Sequence, residues 1–125
     1  MGDIAALVID DEKAIVGLVS NVLQKKGFQV DQAFTTAEGI KLLEGQKKYS
    51  LVLTDLNQEP TGLEVYSKAK EMGVPFAYIM TGYSNYNLLK EVEKKARDHL
   101  LQKPFSINKI EYIAQQAWVY ANSHQ

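Results

Sequence analysis

The chain has 125 residues, a formal net charge of −1 and no cysteine, and 46% of its residues are apolar. This length fits one domain over residues 1–125, and the apolar fraction is large enough for a core, which argues against a disordered chain. The balanced charge argues against a nucleic-acid surface, and the absence of cysteine excludes disulfides, thiolate catalysis and cysteine-based zinc sites.

The chain begins with MGDIAALVIDD, which contains the first predicted strand. This segment lacks the basic start and the long apolar region of a signal peptide. No apolar run in the chain approaches the ~20 residues that span a bilayer. We therefore expect a cytoplasmic protein that makes no membrane contact.

Five strand-like segments alternate with five helical segments along the chain. Strands are predicted at 5–10, 28–34, 50–55, 75–80 and 99–103, and helices at 12–26, 36–45, 63–72, 85–97 and 107–121. The second strand alternates between apolar and polar residues and suits a sheet edge, whereas the first, third and fourth are nearly continuous apolar runs. This order predicts an α/β fold, (βα)5, in which a doubly wound five-stranded parallel sheet carries helices on both faces.

Residue spacing predicts the buried faces of the first and last helices. The face of the first helix comprises Ile15, Leu18, Val19 and Val22. The face of the last helix comprises Ile107, Ile110, Ala114, Ala117 and Ala121. Tyr112 and Val119 lie on the polar side of that helix, where scattered exposed apolar residues are common and a partner surface is equally compatible.

Polar side chains stand at the carboxyl ends of four predicted strands. Asp10 and Asp11 follow the first strand, Asp55 ends the third, Thr81 follows the fourth and Lys103 ends the fifth. In open α/β sheets, ligands bind outside the carboxyl ends of the strands, where the strand order reverses. With the order 2-1-3-4-5 that point lies between strands one and three, so the three carboxylates are predicted to lie side by side.

Three crowded carboxylates repel one another unless a cation lies among them. Oxygen ligands without histidine or cysteine indicate Mg²⁺, which keeps several waters and binds phosphate oxygens. A hydroxyl donor and an ammonium beside them complete a site that can stabilise a phosphoryl group on a carboxylate.

Each of these features also has a simpler interpretation when it is taken singly. Asp10 and Asp11 can cap a helix, Asp55 can start a loop, and Thr81-Gly82 and Lys103-Pro104 can belong to turns. Because all of these features are predicted to lie at one edge of the sheet, a functional site is favoured over the separate interpretations. His99 begins the fifth predicted strand and is expected to have a structural or surface role.

The motifs VIDDE (8–12), TDL (54–56), TG (81–82) and KPF (103–105) are together similar to the response regulator receiver domain of two-component signalling. The resemblance extends over essentially the whole chain. It implies a CheY-like, flavodoxin-type sandwich that switches between two conformations. It also implies a phosphoprotein that promotes its own phosphorylation and dephosphorylation but is not an enzyme acting on an external metabolite.

The resemblance implies a role for each acidic residue. Asp55 would accept a phosphoryl group from a sensor histidine kinase or a phosphotransfer protein. Asp11 would bind Mg²⁺ directly, Asp10 would bind it through water, and Asp55 and the main-chain carbonyl of Asn57 would complete the protein ligands. Thr81 and Lys103 would contact the phosphoryl oxygens, and the Lys103-Pro104 peptide bond would be cis.

The chain departs from the family pattern at several positions. Leu100 stands where receivers usually carry the phenylalanine or tyrosine that couples to the threonine. The loop after Asp55 is one residue shorter than usual, with Pro60 five and Gly62 seven positions after the aspartate. Asn57 and Tyr83 hold the positions that tune dephosphorylation in the family, and bulky Tyr83 is predicted to slow hydrolysis.

Two functions stay open. The first is a phosphorylated receiver that signals to an unknown downstream protein or output domain, and the second is a receiver-shaped interaction module that phosphate does not switch. In the family the fourth helix, fifth strand and last helix form the output or homodimer face, which makes Tyr112 and Val119 candidates for a partner surface. An aspartate phosphatase is excluded because Asn57 replaces its second aspartate. A flavin-binding flavodoxin relative is excluded because the acidic segment DDEKA follows the first strand, where such a protein needs a phosphate-cradling loop.

Overall fold

The computed structural model describes residues 3–82 and 86–124, without the side chains of residues 86–88. The strands in this part of the chain are β1 (Ala5–Ile9), β2 (Gln29–Ala33), β3 (Leu51–Asp55), β4 (Phe76–Thr81) and β5 (Leu100–Gln102). The helices are α1 (Lys13–Lys26), α2 (Thr36–Leu43), α3 (Gly62–Glu71), α4 (Tyr86–Ala96) and α5 (Ile107–Ser123), and a 3₁₀ turn at Arg97–His99 joins α4 to β5.

The strands form one parallel sheet in the order β2-β1-β3-β4-β5. This arrangement confirms the predicted (βα)5 fold and the predicted strand order. The alternating strand β2 lies at an edge, where one of its faces can meet solvent.

Helices cover both faces of the sheet. On one face α2, α3 and α4 pack around strand residues such as Leu7 and Ile79. On the other face α1 and α5 pack around Val8 and Leu53. Successive residues of a strand point to opposite faces, so the apolar runs of β1 and β3 supply both layers of the core.

Local sequence signals set the helix ends. Gly27 ends α1 with a φ of 114°, a left-handed conformation that glycine adopts without steric cost, and a Cβ there would meet the ring of Trp118. The hydroxyls of Thr35, Thr61 and Ser106 accept main-chain N–H groups in the first turns of α2, α3 and α5. Among the described residues, no helix combines the length and the hydropathy that crossing a bilayer requires.

The predicted faces of the first and last helices are partly wrong. In α1 the buried residues include Val16 and Leu23, whereas Leu18 is 42% exposed. In α5 Ile113 is buried, whereas Ile107 is 49% exposed. The two helices lie side by side on one face of the sheet, so each buries the stripe that points between the sheet and its neighbour.

The fifth strand is shorter than predicted. His99 belongs to the 3₁₀ turn before β5, and its Nδ1 lies 2.8 Å from the hydroxyl of Tyr66. The imidazole also packs against the rings of Tyr66 and Tyr78. His99 therefore ties the start of β5 to α3 and β4.

Candidate functional site

The carboxyl ends of β1, β3, β4 and β5 meet at one edge of the sheet. In the β1–β3 ladder the last paired position lies directly before Asp10 and Asp55, so these two residues are neighbours. Thr81 pairs with Gln102, and the main-chain N–H of Lys103 donates to the Thr81 carbonyl at 2.7 Å. The parallel topology therefore gathers residues that are far apart in the sequence.

Asp10, Asp11 and Asp55 form an acidic cluster at this edge. One carboxylate oxygen of each residue lies within 4.8 Å of the others. Asp10 and Asp55 are buried, whereas Asp11 is exposed. Charges this close repel strongly in a partly desolvated site, so the cluster requires positive charge beside it.

The ammonium of Lys103 lies inside the cluster. Its Nζ is 2.7 Å from Asp10 Oδ2, 3.3 Å from Asp55 Oδ1 and 3.4 Å from Glu12 Oε1. The lysine side chain is only 14% exposed. Among the described residues, the ammonium contacts three carboxylates, and Asp11 adds a fourth beside Asp10 and Asp55. This excess of negative charge favours a further cation.

For Asp10 and for Lys103 alike, burial and ion pairing shift the pKa value in opposite directions. Burial raises the pKa of the Asp10 carboxyl, and the hydrogen bonds from Lys103 and the Glu12 main chain only partly offset it. Burial lowers the pKa of the Lys103 ammonium, but the hydrogen bond with Asp10 and the charge of Asp55 outweigh it, so its pKa lies above the ordinary value. Lys103 is therefore held in its charged form.

The hydroxyl of Thr81 is buried at the same edge. Within the described part of the chain, this oxygen has no hydrogen-bond partner. Leaving a buried polar group unpaired costs about 1–3 kcal/mol. The hydroxyl is therefore a donor available to an acceptor oxygen that enters the site.

Oxygen donors of this kind fit a hard divalent cation. The three aspartates offer carboxylate oxygens from a small region, and no softer donor belongs to the described cluster. Mg²⁺ binds through one or two carboxylates and keeps its remaining waters, so the exposed position of Asp11 suits it. The residues present therefore fit Mg²⁺ at this edge of the sheet.

The loop after Asp55 packs closely on the end of β3. The main-chain N–H of Leu56 donates to Met80, and that of Gly62 donates to the Leu56 carbonyl at 2.9 Å. A Cβ on Gly62 would collide with the main-chain carbonyl of Asp55. The loop between Asp55 and α3 can therefore close in this way only with glycine at position 62.

Gln58 is a site residue that the sequence analysis does not single out. Its Nε2 lies 3.4 Å from Asp55 Oδ2, and its Oε1 accepts the main-chain N–H of Thr36 at 2.9 Å. The available signal is a polar side chain three positions after the strand-end aspartate. Its contact with α2 could not be predicted, because it depends on how the helix approaches the loop.

Other predicted site residues have mixed outcomes. The Lys103-Pro104 peptide bond is cis. Leu100 is half-buried and packs against the core layer that contains α4. The Asn57 carbonyl as a metal ligand stays a prediction, and Tyr83 lies outside the described residues.

The two residues of α5 that the sequence analysis names as a candidate partner surface are both exposed. Tyr112 is 65% exposed and Val119 is 51% exposed. Both therefore lie on the solvent side of the helix, as the sequence predicts, and their role as a partner surface stays a prediction.

Comparisons with known proteins point to one family. Residues 6–115 match the family model described as "Response regulator receiver domain". The transcriptional regulatory protein DltR of Streptococcus agalactiae is 31% identical over 108 residues, which cover 83% of this chain and 47% of that protein. The chain thus spans about half the length of curated relatives of this kind.

Solved structures share the fold. A CheY-like receiver domain protein from Methanospirillum hungatei JF-1 has a TM-score of 0.79 and 22% identity, with 98% of this chain and 99% of that chain covered. A response regulator protein from Burkholderia pseudomallei has a TM-score of 0.74 and 25% identity, covering 98% of this chain and 72% of that chain. That second structure is described as holding a phosphorylated aspartic acid, a calcium ion and citrate.

Proposed function

This chain belongs to the response regulator receiver domain family of two-component signalling, and from that premise we propose that Asp55 is the residue that accepts the phosphoryl group. The observation that carries the proposal is the position of the Asp55 carboxylate. It is buried at the end of β3, within 4.8 Å of two other aspartates, and its Oδ1 lies 3.3 Å from an ammonium. A buried carboxylate among acidic neighbours and a fixed cation is suited to phosphoryl transfer.

The transfer reaction follows from this geometry. A carboxylate oxygen of Asp55 attacks the phosphorus of a phosphohistidine on a kinase or phosphotransfer protein. An O–P bond forms as the N–P bond breaks, the electron pair returns to the imidazole nitrogen, and that nitrogen regains a proton from solvent. Lys103, charged and 14% exposed, neutralises negative charge on the phosphoryl oxygens during the transfer.

Loss of the phosphoryl group reverses the modification. Water attacks the phosphorus, the O–P bond to Asp55 breaks, and the carboxylate is released together with inorganic phosphate. Tyr83 and Asn57 hold the positions that would limit access of this water. The domain thus turns over only its own phosphoryl group.

The metal site that we propose uses Asp11 as a direct ligand, Asp10 through water, and Asp55 and the Asn57 carbonyl as the remaining protein donors. Bound Mg²⁺ supplies positive charge to the phosphoryl oxygens. The close placement of the three aspartate oxygens supports this assignment.

The signal leaves the site through Thr81. Its buried hydroxyl has no partner among the described residues, so a phosphoryl oxygen would satisfy it and favour the conformation in which the two meet. Leu100 stands where the family usually carries the ring that follows this movement, and it packs against the core layer that contains α4. The downstream partner is an output domain or a separate protein. The proposed surface that contacts it is the exposed face of α5 with Tyr112 and Val119.

Intact-mass measurement after incubation with acetyl phosphate and Mg²⁺ tests the proposal. We expect the parent protein to gain the mass of one phosphoryl group, Asp55→Asn to gain none, and chelation of Mg²⁺ to stop labelling. Asp98→Asn, an exposed aspartate away from the cluster, is the matched control and should label as the parent does. An unlabelled parent would favour the interaction module that phosphate does not switch, and a labelled Asp55→Asn would move the acceptor elsewhere.

A further inference from the structure

We propose that Gln58 is a positioning residue that holds the Asp55 carboxylate in the orientation needed for phosphoryl transfer. This inference rests on the proposed function of Asp55. The side chain of Gln58 bridges two groups, since Nε2 lies 3.4 Å from Asp55 Oδ2 and Oε1 lies 2.9 Å from the Thr36 main-chain nitrogen. Gln58 therefore reaches the acceptor carboxylate from a loop that is itself held to α2.

The direction of the Gln58 amide is set by its neighbours. The main-chain N–H of Thr36 can only donate, so the oxygen end of the amide must face it. The NH₂ end then faces Asp55, where a carboxylate can only accept. The bridge works in one orientation, with a donor directed at the carboxylate.

Two contacts hold the Gln58 loop against α2. Thr36 is the first residue of α2 and is fully buried. Besides the contact from its N–H to Gln58, its hydroxyl donates to the main-chain carbonyl of Pro60. The amide of Gln58 is thus anchored at the end away from Asp55, which limits the positions that its NH₂ group can adopt.

The two oxygens of Asp55 have different donors. Lys103 Nζ lies 3.3 Å from Oδ1, and Gln58 Nε2 lies 3.4 Å from Oδ2. Rotation of the carboxylate about its Cβ–Cγ bond would weaken both contacts at once. Because in-line attack requires an oxygen lone pair aimed at the phosphorus, a fixed carboxylate plane favours the reactive geometry.

Removing the Gln58 donor should slow phosphorylation of Asp55. Loss of one hydrogen bond is expected to change the rate by about fivefold. Gln58→Met keeps the length of the side chain but removes both contacts. Gln58→Glu keeps the oxygen that accepts from Thr36 and replaces the donor by a second acceptor beside Asp55.

The experiment measures the labelling rate with acetyl phosphate at saturating Mg²⁺ by intact mass, with circular dichroism to establish that each variant is folded. Gln46→Glu introduces the same chemical change at an exposed glutamine away from the site, and it should label at the parent rate. We expect both Gln58→Met and Gln58→Glu to label about fivefold or more slowly.

Each other outcome rejects the inference. If Gln58→Glu labels at the parent rate while Gln58→Met is slow, only the tie to α2 matters and Gln58 does not position Asp55. If both variants label at the parent rate, the amide has no role in the transfer, although the proposed function stands. If the parent itself does not label, the proposed function fails and this inference fails with it.

Discussion

At the scale of the residue, two helical glycines differ in whether the structure leaves room for a side chain. Gly62 is the first residue of α3, and a Cβ there would collide with the main chain of Asp55 and Leu56. Gly17 lies in α1 and has no heavy atom within 4 Å of the position that a Cβ would take. The same added methyl group therefore meets backbone at one position and open space at the other.

We expect Gly62→Ala to lower the free energy of unfolding by about 1–3 kcal/mol, because backbone cannot move aside as a flexible side chain can. Gly17→Ala should raise it by about 0.5–1 kcal/mol, since alanine loses less conformational freedom in a helix. Urea denaturation of both variants and the parent measures these changes. Equal effects of the two substitutions would contradict the close approach of Gly62 to β3.

At the scale of the element, the turn before β5 depends on a histidine in its neutral form. Burial lowers the pKa of His99, the positive charge of Lys70 lowers it further, and Asp98 only partly compensates. The unfolded chain therefore binds a proton more readily than the folded chain. Stability from this group is fully present above the ordinary pKa of 6.5 and is lost as the pH falls below it, towards the lower folded value.

We predict that His99→Gln flattens the decrease in stability of the parent on the acidic side of neutrality. Glutamine can keep a hydrogen bond to the Tyr66 hydroxyl but does not titrate. Urea midpoints at pH values on either side of 6.5, the ordinary His99 pKa, make the comparison. An unchanged slope in His99→Gln would refute the assignment.

At the scale of the whole molecule, the sheet concentrates negative charge at one edge. The chain as a whole is nearly neutral, with a formal charge of −1. Where β1, β3 and β5 end, however, the described residues include four clustered carboxylates, three of which contact the ammonium of Lys103. The fold therefore brings together like charges whose repulsion the binding of a divalent cation would relieve.

Mg²⁺ should stabilise the parent against heat, by about 2.7 kcal/mol at a free concentration a hundredfold above its dissociation constant. Asp11→Asn should lose most of this increase. Without Mg²⁺ the same variant should be as stable as the parent or more so, because one repelling charge is gone. Thermal melting with and without Mg²⁺ at constant ionic strength measures both effects, and an Mg²⁺ response retained by Asp11→Asn would exclude Asp11 as a ligand.

The sequence by itself determined the alternation of strands and helices, the parallel sheet and the residues at its carboxyl edge. These features follow from local sequence. The apolar periodicity of a segment indicates which of its faces are buried, and the position of a strand end indicates which side chains lie at the edge of the sheet. The tertiary structure decided which stripe of α1 and α5 is buried, as Leu18 and Ile107 show. Each of these helices has more than one face that is apolar enough to be buried. The packing against neighbouring elements decides which face it is, and the sequence of one helix does not specify it.

The same division applies to the site. Asp10, Asp55 and Lys103 could be predicted because each stands at a strand end, and parallel pairing brings such ends together. The contact between Gln58 and Thr36, 22 positions apart in the chain, depends on where α2 meets the loop after β3. Contacts made by an irregular loop depend on the relative position of whole elements, so only the folded chain decides them.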